Sequence, residues 1–100
     1  MRTRPGKISK ANDLDAFEHS VLNSATYWNA FVRVSPFDRR SGGGPSFADA
    51  IREGHALMAE TKRSVLIYAV TDEGRSIMAG TLRLNGQFVS AVHGWEPPAA

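Results

Sequence analysis

The chain contains no cysteine. Disulfides, thiolate metal ligands and cysteine nucleophiles are excluded together. The composition also suits a reducing compartment, so a cytoplasmic location is the expectation. No apolar run approaches the length of a membrane-spanning helix, about 18 residues or more. No apolar segment follows the first charges as a secretion signal requires. A membrane partner is therefore not expected. The three histidines, His19, His55 and His93, are widely spaced and form no His-x-x-x-His pair. Neither a metal nor a cofactor is expected from them. A Gly-x-Ser-x-Gly elbow is absent. Asp13, Asp15, Glu18, Asp49, Glu53 and Glu60 fall at helix starts or on solvated helix faces. With no catalytic constellation in view, the expected protein is not an enzyme.

Acid is missing from the first ten residues, which carry Arg2, Arg4, Lys7 and Lys10. The rest of the chain holds eight Lys or Arg against ten Asp or Glu, so the folded part is mildly acidic although the whole carries +2. That balance argues against a domain built as a cationic groove for duplex DNA.

What is present is one small domain: 100 residues, 42% hydrophobic and 22% charged, the composition of an ordinary globular chain. Residues 1–11 lack apolar periodicity and read as a flexible basic tail. Residues 12–95 read as a single α/β domain. Residues 96–100, with Pro97 and Pro98, read as a disordered C-terminus, and Trp95 already looks like part of that fading end.

Asn12 and Asp15 suggest a capped short helix to about Asn23, with Leu14, Phe17 and Val21 as its apolar stripe. Ala25 to Val34 alternates as a strand. Trp28, Ala30, Val32 and Val34 share one face, and Tyr27, Asn29, Phe31 and Arg33 share the other. Ser35 to Pro45, with Gly42-Gly43-Gly44, reads as a loop. Ser46 and Asp49 form a capping-box pattern for a helix over about 46–62, whose apolar sector is Phe47, Ala50, Ile51, Gly54, Leu57 and Met58. Gly54 in that sector predicts a close approach to a sheet. Ser64 to Thr71 is apolar on both faces, the pattern of a central strand. Gly74 supplies a turn, Ser76 to Leu84 a strand with a bulge at Gly80, Asn85-Gly86 a type I′ hairpin, and Gln87 to His93 the last strand.

The expected fold is therefore α+β: a two-layer α/β sandwich of order α-β-α-β-β-β. A four-stranded mixed sheet, entered by a right-handed crossover, carries the main helix on one face.

Two constellations invite function. Gly42-Gly43-Gly44 ahead of a helix start, with Arg39 and Arg40 as cationic clamps, suggests an anion site, although the Walker and dinucleotide spacings are both missing. The second is the sheet face carrying Tyr27, Phe31, Arg33 and Tyr68. An apolar second face needs a cover: the short first helix, a second protomer, or a ligand such as single-stranded nucleic acid stacked on its aromatics. No family is identified from these motifs. The leading expectation is a small non-enzymatic interaction or regulatory module, self-associating as a homodimer or docking on another protein through that face. The alternative is nucleic-acid binding by the basic tail, with Arg2, Arg4, Lys7 and Lys10 supported by Arg33, Arg39 and Arg40.

Overall fold

In the computed structural model of the chain, residues 16–98 are described. The first helix, α1, occupies 16–24 of them. It is followed by β1 (Tyr27–Ser35), β2 (Asp38–Gly44), α2 (Phe47–Thr61), β3 (Val65–Val70), β4 (Ser76–Leu82) and β5 (Phe88–Ser90). The expected tail, with Arg2, Arg4, Lys7 and Lys10, and the Asn12 cap lie outside the described residues.

The sheet has five strands in the order β2-β1-β3-β4-β5, and every neighbouring pair is antiparallel. This corrects the expectation of four strands in a mixed sheet. The strand that sequence reasoning missed is β2, read as a loop because of its three glycines. Those glycines are required by packing. A Cβ on Gly42 would stand 2.8 Å from Glu53 Oε1, and one on Gly44 would stand 2.7 Å from the Asp49 side chain. A Cβ on Gly43 would run into the Trp28 carbonyl oxygen. The helix α2 thus lies so low over β2 that only hydrogen fits beneath it, and tertiary contact overrides the intrinsic looseness of glycine. With β2 returning beside β1, the chain enters β3 antiparallel to β1, and the expected parallel crossover does not exist.

The main helix forms as its sequence dictates. Ser46 caps it: its hydroxyl accepts from Asp49 N at 3.2 Å, and Ser46 N donates to Asp49 Oδ2 at 3.1 Å. Phe47, Ala50, Gly54, Leu57 and Met58 are its buried stripe. Glycine inside a helix costs about 1 kcal/mol against alanine. Here a Cβ on Gly54 would meet Leu82 at 2.9 Å, so the close approach inferred for this glycine is what the packing uses.

The core lies between α2 and one face of the sheet. It takes Trp28, Ala30 and Val32 from β1, Val65, Ile67 and Ala69 from β3, and Leu82 from β4. In β4 the register slips between Ile67 and Tyr68, whose partners are Gly80 and Met78. Ala79 is therefore the extra, unpaired residue, one position before the expected bulge. The slip lets Ile77, Gly80 and Leu82 all stand opposite core-facing residues of β3. The β4–β5 connection is not type I′. Gly86 N donates to Arg83 O, and only Gly86 (φ 90°), not Asn85, has positive φ. That is a three-residue loop with its glycine in the left-handed position.

Trp95 also departs from expectation. It stacks on Trp28 (ring centroids 6.0 Å, interplanar 16°) and meets Phe47 and Phe88 edge to face. The segment after β5 therefore folds onto the α2 side of the sheet, where Val92 is buried in the core. Leu22 of α1 joins the same core, and His19 Nε2 lies 2.8 Å from the His93 carbonyl oxygen.

Candidate functional site

Among the described residues α2, the C-terminal segment and Leu22 of α1 all lie on one side, which leaves the other side of the sheet as a surface. Backbone pairing assigns its side chains in rows. Ser41, Phe31, Leu66, Thr81 and Val89 form one row across all five strands. Asn29, Tyr68 and Met78 form the next, and Tyr27, Val70 and Ser76 the one beyond. The register of β3 against β1, which the sequence left open, thus places Leu66, Tyr68 and Val70 with Tyr27 and Phe31. The difference between the two faces is sharp. Val65, Ile67 and Ala69 have no exposed surface, whereas Tyr27, Met78 and Val89 remain 42%, 37% and 40% exposed. None of the side chains in these three rows is buried.

The expected interaction residues Tyr27, Phe31, Arg33 and Tyr68 are brought together on this face. A shallow depression of about 410 Å³ runs among Asn29, Phe31, Arg33, Tyr68, Val70 and Ser76. A neighbouring one of about 420 Å³ shares Phe31, Arg33 and Tyr68 and extends to Leu66 and Arg63. The charge on this face is one-sided near the β1–β2 turn. Arg33 and Arg39 stand directly opposite each other on adjacent strands, and neither forms an ion pair among the described residues. Asp72 and Glu73 sit in the β3–β4 turn, at the other end of β3, where Asp72 accepts from the Thr26 hydroxyl at 2.8 Å.

One residue escaped sequence reasoning. Phe37, in the β1–β2 turn after Pro36, is 98% exposed, and its N–H donates to the Ser35 hydroxyl at 3.3 Å. Its only signal was an aromatic residue within a turn, where no packing partner is available.

The anion site does not assemble. Arg39 and Arg40 are consecutive in a strand, so their side chains leave opposite faces of the sheet. Arg40 pairs with Asp38 at 3.2 Å and with Glu60. The start of α2 is already filled by the Asp49 carboxylate. The Arg52 guanidinium (2.7 Å) and then the Ser46 hydroxyl and N–H hold that carboxyl below the usual range. Among the described residues no group of three His, Cys, Asp or Glu could hold a metal ion, and no helix is long and apolar enough to cross a membrane.

Compared with protein-family models, curated proteins and solved structures, the chain matches none.

Proposed function

We propose that this chain is a non-enzymatic docking module whose uncovered sheet face receives a protein partner with an acidic, apolar surface. The observation that supports this is the contrast across β3: one set of side chains is wholly buried, and the other set, Leu66, Tyr68 and Val70, stays partly exposed with no layer on it among the described residues. A contiguous apolar face of this kind on a small domain marks an interaction surface. Charge selects the partner's chemistry. Arg33 and Arg39 oppose each other without a carboxylate between them, and two like charges directly opposite cost free energy in the unbound sheet. A second copy pressed face to face would offer the same cations. An acidic surface answers them with bidentate guanidinium–carboxylate pairs. Phe31, Leu66 and Tyr68 supply the apolar centre, and Phe37 stands at the rim as an aromatic anchor. The cysteine-free composition supports a cytoplasmic setting for such a module.

The test is an amide NMR titration of the whole chain with two synthetic peptides, one alternating Leu and Glu and the other Leu and Lys. The expected result is shifts centred on Asn29, Phe31, Arg33 and Tyr68 with the Glu peptide and none with the Lys peptide. Shifts elsewhere, or equal responses to both, overturn the proposal. A single-stranded oligothymidylate is the third arm. If it moves the same amides at lower concentration than the Glu peptide, the face belongs to nucleic acid instead. Tryptophan emission is a poor reporter here, because Trp28 and Trp95 stack on the opposite side of the sheet.

A further inference from the structure

The sheet has one long free edge. β2 pairs with β1 on one side only, and among the described residues no strand lies on its other side. β5, at the far end, is three residues long. A seven-residue edge with no proline or bulge inside it is a template for another strand. Natural edges are guarded by charge, and Arg39 and Arg40 provide it here. Any partner strand must therefore offer a space or an acid at their positions.

From the pattern of β2 itself we infer that the partner strand is β2 of a second copy, joined antiparallel about a two-fold axis at Ser41. The strand reads Asp-Arg-Arg-Ser-Gly-Gly-Gly. Centred on Ser41, this register sets Arg40 opposite Gly42, Arg39 opposite Gly43 and Asp38 opposite Gly44 of the second copy. Every large side chain then faces a glycine and no like charges stand directly opposite; Asp38 arrives beside Gly44, under an Asp49 carboxylate that Arg52 already pairs.

Two further features agree with that register. Directly opposite residues share a face, so Arg40 arrives on the α2 side beside Gly42, which lies under the Glu53 carboxylate. Each guanidinium gains an acid from the other protomer there. One position further out, Phe37, almost wholly exposed in the single chain, comes level with Pro45 of the second copy. The interface is isologous, so both sets of contacts occur twice. The result is a continuous ten-stranded sheet whose two open faces adjoin. This pairing uses the strand edge and does not depend on what docks on the face.

Ser41 is exposed, so its substitution tests the axis without disturbing the fold. Mass is measured by light scattering from micromolar to near-millimolar chain. The unaltered chain is expected to reach the dimer mass. Ser41→Asp and Ser41→Lys should each remain monomeric, and an equimolar mixture of the two should recover the dimer. Phe31→Asp should leave the dimer intact. Because the chain has no cysteine, Ser41→Cys adds its only thiol. Oxidised glutathione should link it into covalent dimers in high yield, whereas Ser64→Cys should not be linked. A monomer mass throughout, together with unlinked Ser41→Cys, overturns the inference. So does a dimer that survives Ser41→Asp and is lost with Phe31→Asp, which would place self-association on the face.

Discussion

Arg33 and Arg39 face each other across β1 and β2, on the side of the sheet that α2 leaves open. Within the isolated chain this arrangement is unfavourable, because directly opposed like charges destabilise a strand pair. A stability cost at an exposed site agrees with a site kept for an anionic partner.

The first prediction follows from that cost. Arg39→Glu replaces repulsion by attraction and should stabilise the isolated chain by about 0.5–1 kcal/mol, read as a raised urea midpoint. The same change should abolish the response to the Leu-Glu peptide. A lowered midpoint would mean that Arg39 already has a partner within the chain.

Gly44→Ala tests the glycine strand by sign. If residues 42–44 were a loose connector, alanine would stabilise the chain by about 0.4–1 kcal/mol through the unfolded state. With Asp49 side-chain atoms 2.7–2.8 Å from the new methyl carbon, we expect destabilisation of about 1–3 kcal/mol from overpacking. Thermal or urea unfolding distinguishes the two.

Trp95→Ala removes the stack on Trp28 and the edge contacts to Phe47 and Phe88. Trp95 is half-buried, so the expected loss is about 2–3 kcal/mol, below that for a fully buried tryptophan. The near-ultraviolet circular dichroism of the stacked pair should vanish with it. An unchanged midpoint would show that the C-terminal segment carries no packing.

The depressed Asp49 carboxyl makes a pH prediction. Its folded pKa lies below its unfolded one, chiefly through Arg52 and then Ser46. The stabilisation is therefore complete above the unfolded value of about 4 and is lost as pH falls through the lower folded value. Asp49→Asn should lower the melting temperature at neutral pH and flatten its decline in acid. A parallel acid decline in both proteins would remove Asp49 from the linkage.

Legibility in the sequence followed the range of the forces involved. The Ser46–Asp49 capping box and the α2 stripe are local and were read correctly. So was the central place of β3, because six successive apolar residues admit few other positions. The alternation in β1 correctly separated Trp28 from Tyr27. The glycines of β2 were misread because their reason lies in α2, in the carboxylates of Asp49 and Glu53. Trp95 reads as a fading end in the sequence because nothing local reveals the Trp28 ring it stacks on. Alternation puts Tyr27, Phe31 and Arg33 on one face, and only register, a long-range relation, adds Leu66, Tyr68 and Val70 to it. Arg39 and Arg40 can form one clamp only in a loop; in a strand their side chains leave opposite faces.

On the proposed function, the face opposite α2 is open in the free chain and becomes covered on docking. Photochemically induced nuclear polarisation reads this directly, since it reports side chains that a soluble dye can touch. Tyr27 and Tyr68 should give strong signals in the free chain while Trp28, only 7% exposed, stays dark, and the tyrosine signals should fall on adding the Leu-Glu peptide. Dark tyrosines in the free chain, or tyrosine signals unchanged by saturating peptide, would contradict it.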